Sequence, residues 1–524
     1  MKTPGDFIFA KINKISKQTK ATFLSACLFG IFAHIFVMTN AINNYDNISC
    51  TPKGIGTGIT SGRWMLEIYK KLEGIWGIYN LPVFNGMLTI FLIAVSACCV
   101  VTIFSITDVL HCVLIGGIMV CFPAVTSTML FMFTAPYYGI AILLSVLAVK
   151  WTDEKRYGFL VSALGIACAL GTYQAYLPVT ASLFVLLLIY KGLYEECSWN
   201  KCIWLSIKYF FTLVLGVVFY YVILQMLLCY WNAELSAYQG ISDMGNLALS
   251  SIPSLIKEIC KNWIALFKSD YLSVSGTFST RVSIWLLFLC SAFLMGILLF
   301  NRKRTWKEII VIGLFVCMLP IAADSIEIMC PSSTVYTLMI YAMVIIFIFP
   351  VVLLEIYFKK SKAAGKVIGK IRNAVLWIIP ACVLLSIVNY SWSSNGNYMY
   401  VYYTAKQTEN YLQGLVERIK NVPGYEPEME VAIIGDVIED SSFKNPWVKS
   451  PFKYGGTATS LINVYSRDAY MRNLLGYVYK KVTDEKRDEL SNNVEVQQMP
   501  YYPSDGSIRI VDNVVVVRIS DLEK

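Results

Sequence analysis

Apolar runs long enough to cross a bilayer recur along most of this sequence, and no other feature constrains its fold as much. A helix needs roughly 20 apolar residues to cross about 30 Å of hydrocarbon, where every backbone polar group must be satisfied within the segment. Such runs cover 21–42, 81–106, 108–121, 128–150, 157–170, 177–190, 202–231, 282–300, 308–322, 335–358 and 371–390, which makes about eleven spans. The balance of 56% hydrophobic to 15% charged residues agrees, since soluble domains run near a quarter charged. The first run is long and no small-residue cleavage site follows it, so it reads as a retained first helix.

Basic residues in the short connections set the expected orientation. Lys2 to Lys20, Lys155 and Arg156, Lys191 and Lys201, Arg302 to Lys307, and Lys359 to Arg372 fall on one side. The alternate loops around Pro123, Tyr173 and Pro331 carry no Lys or Arg. The N-terminus is therefore expected in the cytosol and the C-terminus outside; the cytosolic turn near Asp108, which lacks basic residues, is an exception. These topogenic loops and anionic headgroups account for the net charge of +9, so no nucleic-acid partner is called for.

The 15 cysteines fall mostly inside the spans, where Cys behaves as a small apolar residue. Only His34 and His111 are available as histidines, and no ligand spacing marks a metal; a divalent ion is allowed but not implied, and no other cofactor is expected. Cys50 and Cys330 face outward in this topology, where a disulfide and two thiols are both open readings.

The expected organisation is an all-α membrane domain over residues 1–391 and a small extracytoplasmic α/β domain over 392–524. Three segments are long for mere connections: 43–80, 232–281 (helical near 252–267) and everything after Ser391. All lie on the outer side, and long loops on one face point to function. In the C-terminal part, helices are expected over 398–419 and 468–481 and strands over 431–437, 493–499 and 511–519, with a turn at Pro503-Ser504-Asp505-Gly506. Gly435-Asp436 reads as an ordinary strand end, because no Gly-rich fingerprint follows.

The first outer loop carries the densest chemistry: Tyr45-Asp46-Asn47, Lys53-Gly54-Ile55-Gly56-Thr57-Gly58 and Ser61-Gly62-Arg63-Trp64. After it, Trp64, Ile68 and Leu72 share one helical face, with Arg63, Glu67, Lys70 and Lys71 on the other. Such a helix is expected to lie along the outer headgroup layer. Asp46 would then sit where a lipid-borne phosphate meets water. Locally, Asp46 reads equally as a solvated loop carboxylate, and Arg63 as a residue reaching for headgroups.

Taken in order, these pieces resemble a known family. Tyr45-Asp46, Gly56-Thr57-Gly58, Ser61-Gly62-Arg63-Trp64, Asn80-Leu81-Pro82, Gly171-Thr172-Tyr173-Gln174-Ala175, Met499-Pro500 to Asp505-Gly506 and Val514 to Arg518 are similar to segments of the bacterial serotype-converting glucosyltransferases that decorate O-antigen (Gtr type II). These belong to the multi-spanning GT-C glycosyltransferases. The resemblance implies a hexose donor linked to polyprenyl phosphate, a surface polysaccharide or glycolipid acceptor, and residence in the bacterial plasma membrane. It also implies a flippase and a polyprenyl-phosphate sugar synthase in the same pathway. Asp46 becomes the expected base for the acceptor hydroxyl, with Asp324 second. Arg63 leads as the cation for the departing phosphate, with Lys53 and Arg281 behind it. Tyr45, Trp64, Tyr173, Gln174 and Glu327 are expected sugar or acceptor contacts. One departure stands out: the family pattern calls for two adjacent acidic residues where this chain has Asp46-Asn47, so the second role is vacant here or filled elsewhere. A flippase for lipid-linked saccharide, a polysaccharide polymerase and a non-catalytic envelope scaffold are the rival readings. Against the flippase, the charged groups gather on one outer face, and no inverted repeat of broken helices is visible.

Overall fold

A computed structural model describes residues 3–42, 44–50, 58–74, 80–236, 251–300, 304–330, 334–360, 366–436 and 464–522. By its contacts the chain divides into two units. The first comprises Met1–Thr39, Ile55–Asn395 and Pro451–Gly455; the second comprises Asn40–Gly54, Gly396–Ser450 and Gly456–Lys524.

The described part of the first unit is helical. After α1 (Pro4–Asn13) comes α2 (Lys17–Thr39); α3 (Tyr45–Cys50) belongs to the second unit. Then follow α4 (Trp64–Glu73), α5 (Pro82–Ile103), α6 (Val109–Cys121), α7 (Pro123–Leu130), α8 (Ala135–Glu154), α9 (Gly158–Thr172) and α10 (Leu177–Leu193). The series continues with α11 (Trp199–Trp231), α12 (Ile252–Lys268), α13 (Phe278–Phe300), α14 (Trp306–Ala323), α15 (Ile326–Met329), α16 (Ile345–Lys360) and α17 (Lys366–Lys420), whose residues from Gly396 on belong to the second unit. Ten of the described helical segments are long and apolar enough to cross a membrane, and α9 is a shorter apolar helix. The protein is a multi-pass membrane protein.

Local chemistry explains several boundaries. The Asp108 side chain accepts from the amides of Leu110 and His111 and starts α6, while a Thr305–Glu308 capping box starts α14. Pro123 does not make the expected loop. It occupies the first turn of α7, where its missing N–H is harmless, so Val109–Leu130 forms one span and the next begins at Ala135. Helix α2 packs on α5 and α6, α8 on α9, α9 on α11, α10 on α14 and α13 on α16. Inside the bundle, His111 Nδ1 lies 2.7 Å from Glu355 Oε2, and Thr107 donates its amide and hydroxyl to Glu355 Oε1. This pairing offsets the cost of a carboxylate at that depth. The C-terminal carbonyls of α10 are capped from elsewhere in the chain: Arg304 donates to Gly192 and Leu193 O at 2.8 and 3.0 Å, and Lys360 to Leu193 O at 2.8 Å.

In the second unit, β1 (Glu430–Ile434), α18 (Val464–Leu475), β2 (Lys480–Lys481), α19 (Asp484–Asn492), α20 (Val494–Gln497), β3 (Ile508–Val511) and β4 (Val514–Arg518) build a four-stranded sheet of order β2-β1-β4-β3. Strand β1 runs parallel to both neighbours, and β3 and β4 are antiparallel. Alternation along the strands feeds two cores. Val431, Ile433, Val515 and Val517 pack with Leu412, Leu415 and Ile419 of α17, Met471 of α18 and Ile48 of α3. Ala432, Ile434, Val514 and Val516 pack with Leu490, Val496 and Met499.

Further sequence expectations change, among them the helix expected over 468–481, which is α18 followed by the short strand β2. The last span and the helix expected over 398–419 are one continuous 55-residue helix, α17. The expected strand 493–499 is the short helix α20, because the Asn493 side chain accepts from the Glu495 amide and caps it. The expected strand 511–519 is divided by a turn at Asp512-Asn513, both at positive φ, which short polar side chains tolerate and two-residue hairpins require. Finally, the helix after Arg63 forms but buries Trp64, Leu66 and Tyr69 and leaves Ile68 and Leu72 exposed; α4 packs on α9. Gly435 does end β1, in the left-handed region.

Candidate functional site

Arg63 ends a tightly held loop in the first unit. Gly62 has φ +70°, and a Cβ there would meet the Tyr220 hydroxyl at 2.5 Å and Gln174 Nε2 at 2.7 Å. Only glycine satisfies both demands. Gln174 Nε2 donates to Ser61 O at 2.9 Å and to the Tyr220 hydroxyl at 3.1 Å, and that hydroxyl donates to Gly62 O at 3.1 Å. The Ser236 amide donates to Thr60 O at 2.8 Å from the other side of the loop. Trp64 is fixed by fit: its indole occupies the space a Cβ on Gly171 would need, within a cluster containing Ala148, Ile166, Leu170, Tyr220 and Leu224.

Above this backbone, Arg63 Cζ lies 4.6 Å from the centroid of the Tyr173 ring. Tyr173 in turn stacks on Tyr138 at 5.1 Å and 21°, and Tyr176 meets Tyr173 edge-on at 5.9 Å. All three tyrosines are buried. Arg63 Nε and Trp64 Nε1 are buried and have no hydrogen-bond partner among the described residues. An orphaned donor on a guanidinium held this way is suited to an oxyanion.

The second expected pair is brought together by an amide. Asn262 Nδ2 donates to Asp324 Oδ2 and to Glu327 Oε1, both at 2.9 Å, and the Tyr271 hydroxyl donates to Asp324 Oδ1 at 3.2 Å. Asp324, just past the end of α14, is wholly buried. Burial, augmented by the Glu327 charge and opposed by the two hydrogen bonds, pushes its carboxyl up to about 7. Glu327 is raised for the same main reason. Burial, with the Asp324 charge beside it, holds the Tyr271 phenol above its usual range. Arg281 reaches neither Arg63 nor this pair: its Nη1 donates to Lys268 O at 3.4 Å, at the end of α12. Met329 of α15 packs against the Trp64 cluster, so α15 joins the two groups within the unit.

Asp46 and Tyr45 open α3 and belong to the second unit. The Asn44 side chain accepts from the amides of Asp46 and Asn47 at 3.1 and 2.8 Å and caps the helix. Asp46 itself is half-buried. Asn473 donates to Ile48 O at 2.9 Å and ties α3 to α18. Lys53, Gly56 and Thr57 lie outside the described residues.

Sequence reasoning missed Asn262, Tyr271, Tyr220 and Tyr138. Asn262 had a signal: it lies three residues after Ile259 and four before Leu266, the two buried apolar residues of α12, and a polar side chain on the apolar face needs a partner. Tyr220 and Tyr138 lie within apolar runs and carry no such signal.

A family model described as glucosyl transferase GtrII matches residues 35–393. The chain belongs to this glucosyltransferase family. No curated protein and no solved structure matches it. The part shared with the GtrII family takes in every site residue named above, from Tyr45 to Glu327. It stops short of the closing segments around Met499–Gly506 and Val514–Arg518, so the family match does not extend to that part of the resemblance.

Proposed function

We propose that this GtrII-family protein transfers a hexose, glucose by the family's description, from a polyprenyl-phosphate-linked donor to a polysaccharide or glycolipid on the outer face of the bacterial plasma membrane. The observation that carries this reading is the Arg63 guanidinium, fixed over Tyr173 with a buried donor unpartnered among the described residues. In the reaction, the acceptor hydroxyl oxygen bonds to the anomeric carbon as its proton passes to the Asp46 carboxylate. The bond from the anomeric carbon to the phosphate oxygen breaks, and the phosphate leaves with both electrons. Charge grows on that phosphate, where Arg63 stabilises it; Lys53 and Arg281 are further cations for the lipid headgroup. Asp46 is preferred as base because its carboxylate is on a half-buried first turn, whereas Asp324 is sealed with a donor on each oxygen. Trp64 and Glu327 are the remaining candidate sugar contacts in the first unit, and Tyr45 in the second.

The test uses the full chain in liposomes, with its orientation read from a reporter after Lys524. Labelled glucose on polyprenyl phosphate should reach an added polysaccharide acceptor on the Lys524 side, while a nucleotide-linked glucose should not substitute. Transfer from the nucleotide sugar, or movement of the lipid-linked sugar across the bilayer with no transfer, would overturn the proposal.

A further inference from the structure

Tyr173 entered as a sugar contact, and its surroundings argue for another task. One face of its ring carries the Arg63 guanidinium at 4.6 Å, and Tyr138 stacks on it at 5.1 Å. With Tyr176 against it as well, the residue is only 6% exposed. A ring buried to this degree offers almost no surface to a sugar. Its π face can hold a flat cation, and Tyr138 stacks on the same ring. A guanidinium lying over a ring keeps its N–H edge for acceptors in its own plane, the edge that grips two phosphate oxygens at once. Gln174 does for the backbone what Tyr173 does for the side chain, since it fixes Ser61 O two residues before Arg63.

We infer that Tyr173 is a positioning residue, which holds Arg63 edge-on to the donor phosphate through its ring and not through its hydroxyl. The inference rests on the proposed role of Arg63. It separates two properties of one side chain: the ring matters, and the hydroxyl does not.

Transfer kinetics at varied polyprenyl-phosphate-glucose are compared for wild type, Tyr173→Phe, Tyr173→Leu, Arg63→Gln and the double variant Arg63→Gln/Tyr173→Leu. Membrane content and melting temperature are checked in parallel. Tyr173→Phe should stay within about twofold of wild type, and Tyr173→Leu should lose roughly tenfold or more in kcat/KM for the donor. In the Arg63→Gln background the Leu substitution should add almost nothing, because the group it positions is gone. A tenfold loss in Tyr173→Phe would return the hydroxyl to sugar binding and overturn the inference. So would additive losses in the double variant, which a merely structural role predicts. If Arg63→Gln alone is fully active, the role of Arg63 itself fails, an outcome the other variants cannot mimic. Should Tyr173→Leu be lost from the membrane, Tyr173→Met fills the same space without a π face and replaces it.

Discussion

Asp46 and Asp324 each follow a membrane-length helix, yet the chain buries the two to different extents. Asp46 sits in the first turn of a short helix, half-buried, and it is the backbone amide that Asn44 holds. Asp324 is shut away from solvent, with Asn262 on one oxygen and Tyr271 on the other. A base must reach its substrate's proton, whereas a carboxyl raised to about 7 inside a saturated network is arranged to hold parts of the protein together. In the proposed reaction, access therefore weighs against the more strongly perturbed of the two acids.

The largest expected effect separates the two directly. Asp46→Asn should lower transfer by roughly a hundredfold or more, the scale of a positioned general base, while Asp324→Asn should stay within a few-fold. Labelled transfer at matched membrane content measures both. The reverse pattern would make Asp324 the base and reduce Asp46 to a surface residue.

A smaller loss is expected at Arg63. Arg63→Lys keeps the charge but loses the fork, so transfer should fall roughly ten- to a hundredfold, the worth of one charge-assisted hydrogen bond. Insertion should be normal. Full turnover would leave Arg63 a headgroup anchor.

The smallest effect concerns stability. Asp324 binds its proton more tightly when folded, with its carboxyl raised from 3.8 to about 7. Its contribution is therefore fullest below about pH 3.8, declines as pH rises through that interval, and is flat above about 7. Wild-type melting temperature should fall between about pH 4 and about pH 7, by an amount on the order of a few degrees from this group. Asp324→Asn should flatten that slope, and an unchanged slope would remove Asp324 from the linkage.

How legible all this was in the sequence depended on whether a feature was local. Apolar runs mark spans because hydrophobic length is a property of one segment, and the helices appear where those runs lie. Boundaries were harder: Pro123 looked like a break and is a helix start, and Asp512-Asn513 passed unnoticed inside a valine-rich stretch. At the site, Arg63 and Tyr173 could be named from the sequence, but not their stacking, which depends on a contact between residues far apart in the chain. The bridge from Asn262 to Asp324 and Glu327 spans more than sixty positions, a distance over which local pattern carries no information. The placement of α3 in the second unit's core, through Ile48, was equally invisible, because six residues beside a span look like a loop.

The caps on α10 have a consequence for biogenesis. Arg304 and Lys360 are among the basic residues that set orientation in the proposed topology, and both are later bound to carbonyls at one helix end. In that topology, the charges that an insertion machinery would read first become ties between α10, α16 and the residue just before the Thr305 cap of α14. A helix inserted the wrong way round would present these cations on the opposite side from Gly192 and Leu193, with no carbonyls to receive them. In that topology, assembly of the bundle would check the orientation that the positive charges first imposed, and an error made at insertion would surface as a failure to fold.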